Sequence, residues 1–241
     1  MAKKKPIEIQ ENPAFPMRIN KYLAFKKHTT RREADVLIGR KLVTINGIPA
    51  KLGDKVSQSD IVKIDGPQRK YTYYAYNKPR GIITHSPQGD EVSIADSIHM
   101  PWIFPLGRLD KDSDGLILLT DDGRVTDALL NPKHEHEKEY VVTTLNALPK
   151  DFKRNMERGV DIGDYVTKKC TVEILSEHSF SIVLTEGKKH QIRRMCGVFG
   201  QSVTKLTRVR IMDIQLGNLA EGALREMQKA ELNTFLQAIG L

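Results

Sequence analysis

A charged loop runs directly into an apolar segment at residues 104–120, which read FPLGRLDKDSDGLILLT. Leu116 to Leu119 is a short continuous apolar run, and such a run predicts a strand that is buried on both faces. The segment before it is flanked by Gly107 and Gly115 and contains Arg108 and Asp110. Reactive groups often lie on loops that rigid elements hold in place. The stretch therefore predicts a core strand that is entered from a candidate functional loop.

The acidic residues of this loop allow three interpretations: a solvated turn, a calcium loop or part of a catalytic site. The calcium interpretation rests on Asp110, Asp112 and Asp114. An EF-hand loop needs glycine at its sixth position and glutamate at its twelfth. Counted from Asp110, those positions hold Gly115 and Asp121, so one of the two fits. The pattern disfavours calcium, and the other two interpretations stay open.

Strand and helix patterns alternate through the rest of residues 73–241. Residues 192–199 carry apolar side chains at helical spacing, so a helix is predicted to begin near Lys188–Lys189. Interleaved strands and helices with several hairpins predict an α+β fold with a mixed, mostly antiparallel sheet. The further predicted strands are Tyr73 to Tyr76, Tyr140 to Thr144 and the alternating Phe180, Ile182 and Leu184.

Residues 17–66 predict a separate small module of two helices followed by strands. Thr30, with Glu33 three residues later, forms a capping-box pattern that opens the second helix. Asn46-Gly47 lies between apolar segments and predicts a hairpin turn. The predicted organisation is a flexible basic tail at 1–16, this module at 17–66, a linker at 67–72 and the larger domain at 73–241.

The charge balance indicates a polyanionic partner. The net charge is +8, and a strongly basic chain binds nucleic acid or an acidic membrane surface, unless the charge only aids solubility. A helix N-terminus disfavours cations, so Arg31 and Arg32 in a first helical turn need a partner such as phosphate. The alternative is a solvated helix face. The basic residues of this segment are Arg18, Lys21, Lys26, Lys27, Arg31, Arg32, Arg40 and Lys41.

Several protein classes are disfavoured by what the sequence lacks. No apolar run approaches the ~20 residues that a membrane helix needs, and no apolar stretch follows the basic N-terminus as in a secretory signal. Cys170 and Cys196 are the only cysteines, without the spacing of a zinc site, and we expect two reduced thiols. These features predict a cytoplasmic protein without a membrane partner or a metal.

Two other segments combine residue types that are used in chemistry. Residues 137–140 read EKEY, and a lone tyrosine such as Tyr140 is most often a packing residue. Residues 184–195 read LTEGKKHQIRRM. Their apolar face belongs to the core, while His190, Arg193 and Arg194 point elsewhere. These three side chains are suited to phosphate or a carboxylate, or else form a solvated basic face.

Motifs in both parts of the chain resemble known families. Residues 17–65 contain RINKYLA, TTRREADVLI and GRKLVTING and resemble the S4 RNA-binding module. GRLD at 107–110, KEY at 138–140 and EGKKHQIRRM at 186–195 resemble, in order and spacing, the three signature motifs of RNA pseudouridine synthases. NKPRG at 77–81 resembles the strand that precedes those motifs. An S4 module ahead of such a domain is typical of the RsuA branch, whose members modify ribosomal RNA.

The resemblance implies an enzyme that isomerises a specific uridine to pseudouridine, with neither cofactor nor metal. It implies that Asp110 is the nucleophile, that Tyr140 stacks on the target uracil and that Arg193 pairs with Asp110. The pocket walls are expected at Leu109, Ile182 and Leu206. The residues expected to contact RNA are Arg108, Arg18, Lys21, Arg31, Arg32, Lys188, His190 and Arg194.

The expected partner is RNA. Segments at 136–140, 166–170 and 208–212 resemble a large-subunit subfamily, so the expected substrate is a stem-loop of 23S rRNA, with tRNA as a second candidate and the enzyme as a monomer. The alternatives are a 16S rRNA pseudouridine synthase and a non-catalytic S4 RNA-binding or ribosome assembly factor. An S4 methyltransferase would need a glycine-rich cofactor loop, and we find none in the sequence.

Overall fold

A computed structural model describes residues 14–67 and 69–241. Residues 1–13, which make up most of the predicted tail at 1–16, lie outside the described residues. The chain divides into two compact units, 1–69 and 70–241. Their boundary falls within residues 67–72.

The first unit folds as its local sequence signals predict. The Thr30 side chain accepts a hydrogen bond from the Glu33 amide, and the Glu33 carboxylate accepts one from the Thr30 amide, which completes the capping box. Asn46 and Gly47 both have positive φ, and Ile45 pairs with Ile48 across this two-residue turn. The elements are β1 (Met17–Arg18), α1 (Ile19–Phe25), α2 (Arg31–Gly39), β2 (Val43–Ile45), β3 (Ile48–Pro49), β4 (Lys55–Val56) and β5 (Val62–Ile64).

The second unit is built around one large sheet. Its strands are β6 (Tyr73–Lys78), β7 (Phe104–Leu106), β8 (Asp114–Thr120), β9 (Lys138–Thr144), β10 (Thr171–Ser176), β11 (Ser179–Leu184), β12 (Val203–Ile211), β13 (Ile214–Gln215) and β14 (Leu224–Glu226). Its helices are α3 (Ile94–Ile98), α4 (Val125–Leu130), α5 (Phe152–Glu157), α6 (Gln191–Val198) and α7 (Lys229–Ala238).

The sheet confirms the predicted fold class. It has nine strands in the order β10-β11-β9-β12-β8-β6-β14, with β13 beside β12 and β7 beside β8. The β12–β8 pair is parallel, and the other described strand pairs of this sheet are antiparallel. Leu116 to Leu119 in β8 are at most 1% exposed, as the continuous apolar run predicts. This core strand fixes the end of the loop that carries Asp110.

The parallel pair depends on a glycine at the start of β8. Gly115 has φ +104 and pairs with Arg208 of β12. A Cβ at Gly115 would lie 2.4 Å from the Arg208 carbonyl oxygen and 2.7 Å from its amide nitrogen. Glycine is therefore needed here both for its backbone conformation and for the close approach of the two strands.

Candidate active site

The loop between β7 and β8 is held through its own main chain. The Arg108 carbonyl accepts a hydrogen bond from Arg208 Nη1 at 3.2 Å. The Leu109 carbonyl accepts one from Thr84 Oγ1 at 2.8 Å. Both donors lie far from the loop in sequence, on β12 and on the segment after β6. The carbonyls of these two consecutive loop residues are thus bound from two different parts of the sheet domain.

The next two carbonyls are held by amides. The Ser113 amide donates to the Asp110 carbonyl at 3.0 Å and closes a turn around the candidate nucleophile. The Gly81 amide donates to the Lys111 carbonyl at 2.8 Å. The conformation of the Asp110 backbone is therefore set both within the loop and from the segment that follows β6.

Two cationic side chains hold the end of the loop. Arg193 Nη2 donates to the Asp112 carbonyl at 2.9 Å, and Lys78 Nζ donates to the Ser113 carbonyl at 2.8 Å. Each of the six consecutive carbonyls from 108 to 113 thus accepts a hydrogen bond. A bond from a charged donor contributes about 1.5–3 kcal/mol and a neutral one about 1 kcal/mol. We call this set of bonds the carbonyl cradle.

The Asp110 carboxylate faces an open cleft of about 280 Å³. Its side chain is 36% exposed, and its Oδ1 lies 3.7 Å from Nε2 of His190, which becomes a cationic partner when protonated. The cleft is lined by residues of this loop, by His190 and by the segment after β6, which contributes Ile83, Thr84, His85, Ser86, Gln88 and Glu91. A carboxylate at such a position can reach a substrate that enters from solvent.

The predicted ion pair between Arg193 and Asp110 is not formed among the described residues. The Arg193 guanidinium donates instead to the main-chain carbonyls of Asp112 and Val203. Arg193 lies in the first turn of α6, so these bonds connect that helix with the loop and with the start of β12. Arg193 therefore contacts the main chain of the loop two residues after Asp110, and not the Asp110 carboxylate.

Tyr140 lies in β9, where it pairs with Ile182 of β11 on one side and Arg208 of β12 on the other. Its ring is partly buried and packs against two apolar clusters, one of which contains Leu109. Arg208 also donates to the Arg108 carbonyl of the loop, and Leu109 is the residue before Asp110. The sequence motifs around Tyr140 and Asp110 are thus brought to one region of the sheet.

The three predicted pocket residues lie in different surroundings. Leu109 is 7% exposed and lines the cleft. Ile182 and Leu206 are 0% and 6% exposed and belong to the core cluster formed with α5 and α6. The structure places these two in the core and not in the cleft wall, because their side of the sheet faces those helices.

The predicted RNA contacts of the second unit also differ in their surroundings. Arg108 is exposed at the cleft. Lys188 is exposed and its Nζ lies 4.2 Å from the centroid of the Tyr165 ring. Arg194 is paired with the Asp164 carboxylate. Helix α6 begins at Gln191, later than predicted, because His190 adopts the left-handed conformation with φ 51.

The basic residues predicted in the first unit are all on its surface. Arg18, Lys21, Arg31 and Arg32 are exposed, and within residues 14–67 and 69–241 their side chains have no hydrogen-bond or ion-pair partner. Arg31 and Arg32 occupy the first turn of α2, where the helix dipole opposes a positive charge. These four cations, the basic patch, are available to an external anion.

Two buried basic residues of the site were missed by the sequence interpretation. Lys78 is fully buried, and desolvation lowers the pKa of its ammonium to about 8, partly offset by the carboxylates of Asp114 and Asp110. Arg208 is 3% exposed, and in the described part of the chain its Nη2 has no hydrogen-bond partner. The signal for Lys78 was a basic residue at the end of a mostly buried strand, where charge is costly. Arg208 gave no such signal, because its strand also contains Lys205 and Arg210.

The described part of the chain shows neither a metal site nor a membrane-spanning helix. No group of three His, Cys, Asp or Glu side chains there could hold a metal, and this includes the acidic loop. Within the same residues, no helix has the length and apolar character that crossing a membrane requires. Cys170 and Cys196 are free thiols.

Comparison with known proteins connects this geometry to a family. The sequence profile of the family described as RNA pseudouridylate synthase matches residues 72–197, which include the loop, Tyr140 and Arg193. The chain belongs to this family. The profile of the S4 domain matches residues 17–62. The chain is therefore an RNA-binding enzyme that isomerises uridine to pseudouridine, and the prediction of both families from the sequence is confirmed.

Individual relatives of this pseudouridine synthase cover most of its length. The dual-specificity RNA pseudouridine synthase RluF of Salmonella typhi is 42% identical over 222 residues, 89% of this chain and 77% of the relative. RluF of Escherichia coli K12 is 40% identical, over 91% of this chain and 78% of the relative. A crystal structure of a pseudouridylate synthase has a TM-score of 0.66 at 30% identity and covers 90% of this chain and 98% of its own.

Proposed function

We propose that this synthase converts one uridine in a stem-loop of 23S rRNA into pseudouridine, with Asp110 as the nucleophile and tRNA as a second substrate. The observation that carries the proposal is the Asp110 carboxylate, which is open to the cleft and lies in a run of six residues, 108–113, whose carbonyls each accept a hydrogen bond. Similarity to enzymes named dual-specificity RNA pseudouridine synthase supports two substrates. We also propose that the enzyme acts as a monomer in the cytoplasm.

The reaction needs a nucleophile and a change of bond from nitrogen to carbon. The N1–C1′ bond of the uridine breaks, a C5–C1′ bond forms, C5 loses its proton and N1 gains one. A carboxylate is anionic at neutral pH and needs no activating base. Asp110 forms a transient bond to the uridine, either to C1′ as the N1–C1′ bond breaks or to C6 of the base. This bond breaks again when or after the C5–C1′ bond forms, so the carboxylate is released. Every atom of the substrate is retained in the product except for the exchanged protons.

The surrounding residues position this nucleophile and the base. The carbonyl cradle keeps Asp110 in place before the substrate arrives, which lowers the cost of reaching a reactive geometry. Tyr140 stacks on the uracil after it leaves the RNA helix, a step that costs a few kcal/mol. Arg108, exposed at the cleft, fills the space that the base vacates. His190 balances the charge of Asp110 when it is protonated.

The basic patch of the S4 domain anchors the RNA. Phosphate binding by exposed cations releases counterions, and it is independent of the base sequence. The S4 domain therefore supplies affinity, while the cleft around Asp110 selects the uridine that reacts.

Mapping pseudouridine in total RNA from a strain that lacks the gene tests this proposal. We expect a single 23S site and one tRNA site to lose the modification and to regain it when the gene is supplied. Loss of a 16S site instead would mean that the enzyme belongs to the small-subunit synthases. An unchanged map, together with no tritium release from [5-³H]uridine RNA by the purified protein, would favour a non-catalytic assembly factor.

A further inference from the structure

Thr84 holds the residue that precedes the nucleophile at both of its main-chain polar groups. Its Oγ1 donates to the Leu109 carbonyl at 2.8 Å and accepts from the Leu109 amide at 3.0 Å. Both bonds are buried, and Thr84 itself is 5% exposed. One hydroxyl thus pairs with Leu109 in the way that a neighbouring strand would.

The position of Thr84 is itself fixed from a second element. The preceding residue, Ile83, accepts a hydrogen bond from the amide of Ile94, the first residue of α3, at 3.0 Å, and donates to the Val92 carbonyl at 3.0 Å. The Leu109 side chain packs into the same cluster as Ile94. The backbone of Leu109 is therefore connected to α3 through Thr84 and Ile83, and its side chain packs in the same cluster as Ile94. Asp110 is the next residue.

The pairing with Thr84 differs from the other bonds of the carbonyl cradle. Arg208, Arg193 and Lys78 each hold a carbonyl of the loop, whereas Thr84 holds an amide and a carbonyl of one residue. Two opposed bonds fix the rotation of the peptide planes on both sides of Leu109. The second of those planes contains the Asp110 amide. The orientation of this plane therefore sets the position from which the Asp110 side chain extends.

We propose that Thr84 is a positioning residue for the reaction: its hydroxyl sets the direction of the Asp110 carboxylate through the backbone of Leu109. The proposal rests on the proposed role of Asp110 as nucleophile. Thr84 does not touch the uracil in this scheme. Its loss therefore slows the chemical step and leaves RNA binding intact.

The test compares Thr84→Val with Thr84→Ser. Valine has the shape of threonine without the hydroxyl, while serine keeps the hydroxyl. A displacement of about 1 Å at a reacting group can cost on the order of 100-fold in rate. We expect Thr84→Val to lower kcat by about 10- to 100-fold with KM and RNA affinity within about twofold of wild type, and Thr84→Ser to stay within about threefold of wild type in kcat.

A matched control exists at the far end of β8. Thr120 is 0% exposed, and its Oγ1 donates to the Thr72 carbonyl at 2.6 Å and accepts from the Asp122 amide at 3.1 Å. Thr120→Val removes the same two kinds of bond away from the loop. We expect it to lower the melting temperature to a similar degree as Thr84→Val while kcat stays within about twofold of wild type.

The outcomes separate this proposal from the proposed function. Wild-type kcat in Thr84→Val would overturn the role of Thr84 alone. So would a loss of kcat in Thr84→Ser and Thr120→Val as large as the loss in Thr84→Val. Turnover by Asp110→Asn would remove the nucleophile assignment itself. If Thr84→Val does not fold, Thr84→Ala is measured in its place, and a wild-type kcat there overturns the role of Thr84 in the same way.

Discussion

Replacement of Gly115 by alanine tests how the active-site loop is joined to the sheet. The new Cβ would lie 2.4 Å from the Arg208 carbonyl oxygen, and this atom belongs to the backbone of a central strand that cannot move alone. Relieving such an overlap costs about 1–3 kcal/mol. The positive φ of +104 adds about 1–3 kcal/mol for any residue with a side chain. The free energy of unfolding should fall by about 2–6 kcal/mol, out of the ~5–15 kcal/mol of a typical domain.

A second glycine separates the two contributions. Gly163 has a similar φ of +98, but a Cβ there would meet no atom within 4 Å. Gly163→Ala should therefore show the conformational cost of about 1–3 kcal/mol without the cost of the overlap. Urea unfolding followed by circular dichroism measures both variants. We also expect lower kcat in Gly115→Ala, because β8 and Arg208 hold the loop. Equal losses of stability in the two variants would refute the close approach of β8 and β12.

Two further predictions concern the RNA anchor and the cysteines. Arg31→Ala with Arg32→Ala should weaken RNA binding and reduce the slope of log K against log salt by about one unit for each phosphate that is no longer bound, measured by fluorescence anisotropy. An unchanged slope, or an equal change in a control with Lys150→Ala and Arg158→Ala, would mean that the basic patch is not the anchor. Burial raises the pKa of Cys170 to about 11 and of Cys196 to about 12, so both should resist a thiol reagent at about pH 8 in the folded protein and react after unfolding. In the folded protein both thiols stay protonated above pH 9, the ordinary thiol pKa, so the stability they contribute falls as the pH rises above about 9. Rapid labelling of the folded protein near neutral pH would contradict the burial of the two thiols.

Features set by neighbouring residues were predictable from the sequence. The capping box of Thr30 and Glu33 and the hairpin turn at Asn46-Gly47 depend on residues within three positions of each other, and both formed. The apolar run of β8 predicted its burial on both faces. Local chemistry of this kind specifies turns, caps and core strands with little help from the rest of the fold.

The partners of the polar and charged residues that hold the loop were not predictable in the same way. Arg208, Lys78 and Thr84 bind main-chain atoms that are 100, 35 and 25 residues away in sequence. Main-chain acceptors carry no residue identity, so no motif marks them. The same reason explains Arg193, whose predicted partner was the Asp110 carboxylate and whose observed partners are two carbonyls. Ile182 was assigned to the pocket, although its alternation with Phe180 and Leu184 already indicated a core face.

The three motifs of the site lie on neighbouring elements of the sheet domain. Asp110 lies on the loop before β8, Tyr140 on β9 and Arg193 on α6, and the bonds of Arg208 and Arg193 connect these elements to one loop. The family to which the chain belongs establishes the reaction, and the hydrogen bonds to the carbonyls of residues 108–113 hold the backbone that carries Asp110. The role of Asp110 is the point on which the remaining assignments depend.

Turnover by Asp110→Asn tests that role most directly. Asparagine has nearly the shape of aspartate but is a poor nucleophile. The carbonyl cradle binds the main chain of residue 110, which the substitution leaves unchanged. Tritium release from [5-³H]uridine RNA should fall to background, while the affinity for the same RNA stays within about twofold of wild type. Release at the wild-type rate would show that the carboxylate of Asp110 is not the nucleophile.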